Sequence, residues 1–162
     1  MAEKISAYFY GEKHESLLFM AVGVLAICVA VWLWMNGHRL KSMAFPLVGI
    51  ALIQLVVGGT VYFRSDDQLA SLARQFETAP AEYRNGESGR MQTVMKNFTT
   101  YKWIEIALLA VGVALIMLLQ RHDLAAGIGA GLVLQSGFML CLDMFAEARG
   151  QEYLDAILAL PG

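Results

Sequence analysis

The sequence predicts an all-α membrane protein, a bundle of four transmembrane helices with a helical extramembrane connection between spans 2 and 3. Three observations carry this. Of 162 residues, 57% are hydrophobic, where a soluble domain has about 45–50%. The excess falls in four blocks, each near the ~20 residues needed to cross ~30 Å of hydrocarbon. Nearly all the charged residues lie between those blocks. Backbone polar groups have no water partners in lipid, so each block is expected to be a helix.

The spans are placed at about 16–36, 43–63, 101–120 and 124–147. The first (LLFMAVGVLAICVAVWLWM at its centre) exceeds the ~7–15 apolar residues of a signal peptide. Asn36-Gly37-His38-Arg39 after it offers no small-x-small cleavage site. The second contains Pro46 near its start, where a missing N–H costs little. The fourth opens with Gly127, Gly129 and Gly131. The G-x-x-x-G spacing of Gly127 and Gly131 allows close helix approach, expected here within the bundle. Tyr8, Tyr10, Tyr62, Phe63, Tyr101 and Trp103 mark one membrane interface, Trp32 and Trp34 the other. The 162 residues read as a single four-span membrane domain.

The connections differ. Residues 36–42 (NGHRLKS) and 120–123 (QRHD) are tight turns. Both termini and the 65–100 connection therefore share the opposite side. Ser65 or Asp66 is a candidate cap for a helix carrying Leu69, Leu72, Ala73 and Phe76. Pro80 ends it, and Asn85-Gly86 and Ser88-Gly89 read as a turn. A second helix then begins near Arg90, with the stripe Met91, Val94, Met95 and Phe98, and runs into span 3. That helix of about thirty residues would be ~45 Å long. The N-terminal stretch is expected to lie along the interface, with Ile5, Tyr8 and Phe9 toward lipid.

Net charge is −2, and no basic excess points to nucleic acid. Cys28 and Cys141 lack any redox or zinc spacing and read as small buried hydrophobes. Gly-rich phosphate loops, nucleophile elbows and His-Glu-x-x-His are absent, so no motif identifies a cofactor or reaction. Nine of the twelve basic residues lie on the long-connection side, which favours cytoplasmic termini. The short turns are denser in basic residues for their length, which argues the other way.

Polar side chains within spans are costly and mark candidate sites. Glu105 continues the Met91–Met95–Phe98–Lys102 stripe onto an inward face. Asp143 and Glu147 share one face of the fourth helix, with Gln135 eight residues before Asp143. Gln54 lies midway along span 2, and Arg64 closes it. With Glu15 and Arg149 these groups gather at one end of the bundle, under the 65–100 cap. Three readings of that end stand open. The first is an ion-paired structural cap. The second is a ligand, partner or transport site. The third is a metal site, with His14, Glu15, Glu105, Asp143 and Glu147 as candidate ligands.

Carboxylates with a histidine resemble the donors of carboxylate-bridged metal sites in bundles, but the paired Glu-x-x-His is missing. His14 and Glu15, adjacent on a helix, diverge by about 100°. His38 and His122 read as loop histidines. The functional expectation is a non-enzymatic membrane protein binding a small ligand or partner protein at the polar end. Alternatives are a small transporter or ion-conducting homo-oligomer, an immunity-type protein against a membrane-active toxin, and a metal-dependent membrane enzyme. The size and four-span layout resemble small bacterial inner-membrane proteins, and no motif identifies a family.

Overall fold

In a computed structural model, which describes residues 1–37 and 39–160, the chain forms four long helices. They are α1 (Ala2–Met35), α2 (Ala44–Thr78), α3 (Pro80–Leu118) and α4 (Asp123–Leu158), with a 3-10 turn at Lys41–Met43 leading into α2. Each contains a stretch long and apolar enough to cross a membrane. No strand occurs among the described residues. His38 lies outside the described residues.

The helices have 34, 35, 39 and 36 residues, hence about 50–60 Å each. That is nearly twice the ~30 Å of hydrocarbon. The short connections pin them together at one end, where Arg39 Nε donates to Asp123 Oδ1 at 2.6 Å. Ser42 Oγ there donates to the carbonyls of Asp123 and Leu124. All the surplus length therefore emerges at the other end. There the four helices continue as an extension of the same bundle.

This corrects the expected cap in three places. First, α2 runs through Arg64-Ser65-Asp66 without a break. Ser65 caps nothing: its hydroxyl donates to the Val61 carbonyl and to Glu12. Second, the chain reverses at Ala79 alone, with Pro80 in the first turn of α3, where its ring suits the helix start. Asn85, Gly86, Ser88 and Gly89 are helical, and Gly37 is the one positive-φ residue among those described. Their turn preference costs about 1 kcal/mol per glycine. Burying Tyr83, Glu87 and Met91, spaced four apart on the inner face of α3, outweighs it.

Third, the N-terminal stretch does not lie on the interface. It is the first half of α1, and Ile5, Tyr8 and Phe9 are buried. They join Tyr83, Met91, Tyr153, Leu154 and Ile157 in one core, flanked by Leu69, Leu72, Phe76, Val94 and Met95. The amphipathic period is the same whether a helix faces lipid or protein, and only the neighbouring helices decide which. α4 likewise continues well past residue 147, supplying Tyr153 to that core.

Within the membrane half, glycines set the helix crossings. A Cβ on Gly112 would lie 2.8 Å from the Gly129 carbonyl oxygen, so α3 and α4 touch backbone to backbone. Gly127 and Gly131 press against Ser42, Met43 and Pro46, the internal packing expected from their spacing. Cys28 and Cys141 are exposed, on the outside of the bundle and not buried as expected. A small apolar side chain suits lipid as well as a core, so composition does not separate the two. α1 packs closely on α2, and α3 on α4, whereas α2 and α3 meet least of the neighbouring pairs.

Candidate functional site

Sparse contact between α2 and α3 leaves a cavity of about 550 Å³, reached by all four helices. Its lower walls are apolar: Ile50, Ile53, Val57 and Val61 from α2, Ile104 and Leu108 from α3, Met139 and Leu142 from α4. Its upper end is charged. Glu12, Glu15, Arg64, Glu105, Asp143 and Arg149 all line it. With the span limits expected from the sequence, that charged end falls at one membrane face and the apolar walls at hydrocarbon depth.

Most of these charges pair with one another. Arg149 bridges from α4 to Glu15 on α1, and its guanidinium lies 5.6 Å from the centroid of the Tyr8 ring. Arg64 Nη2 sits 3.8 Å from Glu12 Oε1, while Ser65 Oγ donates to Glu12 Oε2 at 3.1 Å. Lys102 binds Glu147 across α3 and α4, leaving Glu147 outside the cavity lining.

Glu105 stands apart. It is 2% exposed, and neither carboxylate oxygen has a hydrogen-bond partner. The side chain facing it is Asp143, another carboxyl group. A buried carboxylate without a donor is costly, and no ion pair among the described residues reaches either group. The cavity therefore holds a buried carboxylate, Glu105, whose oxygens no donor reaches, with the Asp143 carboxyl group beside it.

Gln54 and Gln135 meet deeper in the bundle, where Gln135 Nε2 donates to Gln54 Oε1 at 2.7 Å. Both are buried. Below them the interior closes on Ala26, Ala30, Leu33, Ala44, Leu47 and Ala51. Of the proposed metal ligands, Glu15, Glu105 and Asp143 line the cavity. Glu147 is held by Lys102. His14 is exposed, with Nδ1 2.8 Å from the Tyr10 carbonyl of its own helix. No three His, Cys, Asp or Glu side chains converge as metal ligands among the described residues.

Two features escaped the sequence reading. Glu12 sits one turn before Glu15 on α1, a spacing that signals a shared face. The second is a buried polar chain in the extension. Tyr153 donates to Glu87 Oε1 at 3.1 Å, and the Tyr83 and Tyr153 hydroxyls are 2.8 Å apart. With Tyr153's proton committed to Glu87, Tyr83 is the donor between the two hydroxyls. Arg90 grips both Glu87 oxygens at 2.7 Å. Glu87 and Arg90, three apart on a helix, were the available signal. Burial pushes Tyr8 and Tyr83 up to about 12, with the Glu12 carboxylate adding to Tyr8. Burial raises Tyr153 as well, reinforced by Tyr83.

Comparison with family models, with curated proteins and with solved structures returns no match.

Proposed function

We propose that this protein is a non-enzymatic membrane protein that binds an amphiphilic small molecule in the cleft between α2 and α3. The observation that carries the reading is the cavity's polarity. Ligand sites are typically concave, mostly apolar, and supplied with a few convergent polar groups. Here apolar walls lie at hydrocarbon depth, and Glu105 stands without a donor beside Asp143 at the membrane face. A molecule with a polar head and a hydrocarbon tail matches both halves and can enter sideways from the bilayer.

The closed Ala/Leu interior below Gln54–Gln135 supports binding over conduction. The nine basic residues on the extension side support cytoplasmic termini. The test is extraction. Protein purified in polymer nanodiscs is compared by mass spectrometry with Val57→Trp, whose larger side chain narrows the apolar half. The native chain should carry one amphiphile in near-stoichiometric amount, and Val57→Trp should lose it while melting at the same temperature. Equal lipid content in both proteins would refute the reading.

A further inference from the structure

The charge inventory of the cleft narrows the ligand's chemistry. Four carboxylates and two guanidiniums line it. Arg149 is committed to Glu15, and Arg64 to Glu12. Glu105 and Asp143 remain, two facing carboxyl groups with no cation of the protein paired to either, and Glu105 is almost wholly buried with no donor to its oxygens. An anionic head would add a further acceptor charge to that site. A neutral hydroxyl could satisfy a single acceptor and leave the charge uncompensated. An ammonium presents several N–H donors and a full positive charge, so one group can serve both carboxylates.

An inorganic cation fits less well. No third metal-ligating side chain converges there among the described residues, and about 550 Å³ of largely apolar cavity would stay unfilled.

We infer that the cleft takes a cationic amphiphile, its ammonium between Glu105 and Asp143 and its hydrocarbon tail between α2 and α3. The inference rests on the amphiphile reading above and adds the charge of the head. Tail burial supplies affinity through apolar contact, and the carboxylate pair supplies selectivity for the head. Arg64 and Arg149, each held by its own glutamate, keep the site from becoming so acidic that the bundle end would repel itself.

The experiment uses the full chain in uncharged maltoside micelles, with a long-chain primary amine and the alcohol of the same chain length as probes. Native mass spectrometry reads probe retained per chain. The amine should bind one per chain and at least about tenfold more tightly than the alcohol, because only the amine forms charge-assisted bonds. Glu105→Gln combined with Asp143→Asn should bring the amine down to the alcohol's affinity. Glu105→Lys, which supplies the cation from within, should exclude the amine while preserving the fold by pairing with Asp143. Val57→Trp should weaken both probes alike.

Equal binding of amine and alcohol, both weakened by Val57→Trp, would overturn the cationic head and leave the amphiphile cleft standing. Amine preference that survives loss of both carboxylates would also overturn it. Failure of both probes to bind would remove the cleft reading itself. Displacement of the amine by millimolar magnesium ion would assign the carboxylates to an inorganic cation and overturn the inference.

Discussion

Gly86 and Gly89 provide a sharp test of the extension, because a turn and a helix there predict opposite signs. Both lie inside α3, both are exposed, neither has positive φ, and a Cβ on either would meet nothing within 4 Å. Alanine is better than glycine in a helix interior by about 0.8–1 kcal/mol. With open space at both sites, no clash offsets that gain. Gly86→Ala with Gly89→Ala should therefore stabilise the extension by about 2 kcal/mol, since neither site touches a shared partner. At 1.4 kcal/mol per decade this is roughly thirtyfold slower local opening. Hydrogen exchange of peptides covering residues 80–100, measured in nanodiscs, reads that change directly. Span peptides should not move. If the two glycines formed a turn with a left-handed residue, alanine would be strained there and exchange would accelerate. Faster exchange would refute the continuous helix.

Two further outcomes follow from the packing. Gly112→Ala would push a Cβ to 2.8 Å from the Gly129 carbonyl oxygen, a backbone atom that cannot swing aside. It should destabilise the membrane half by about 1–3 kcal/mol, whereas Gly137→Ala, with nothing within 4 Å, should be tolerated; detergent-challenge unfolding compares them. Alkaline stability should fall in a defined window. Tyr8 and Tyr83 are raised from 10.0 to about 12, so the unfolded chain loses these protons first as pH rises. Their contribution is complete below pH 10 and is lost between about 10 and 12, and Tyr83→Phe should reduce the slope of stability there. Tyrosinate absorbance alongside circular dichroism would follow it, and full stability of the extension at pH 12 would contradict the buried tyrosines.

The four spans and the inward face of Glu105 and Gln135 were legible because they depend on local quantities. The length of an apolar run against the bilayer thickness makes a span. The 3.6-residue period places Glu105 on the stripe of Met91, and both are buried. The gathering of Glu15, Arg64, Asp143 and Arg149 at one end followed from span boundaries and short turns alone. The extension was misread where local preference opposed tertiary packing. Asn85-Gly86 is a strong turn signal, yet Tyr83 and Glu87 beside it have partners on α4 that reward helix.

Ile5, Tyr8 and Phe9 suited a membrane surface equally well until α3 and α4 were seen to cover them. Pairings were not legible either. By charge alone Arg64, Arg149 or Lys102 could neutralise any of Glu105, Asp143 and Glu147. The fold gives them to Glu12, Glu15 and Glu147.

The sequence by itself determined that this chain crosses a bilayer four times and which end collects its charge. Partition between water and hydrocarbon is a property of each segment alone. Only the tertiary structure decided that the supposed lid is the continuation of the four helices. It alone decided that three cations are committed elsewhere and that Glu105 and Asp143 face each other with no cation of the protein between them. Those outcomes depend on which helix covers which face and on distances of a few ångströms between residues far apart in the chain, and no local preference encodes them.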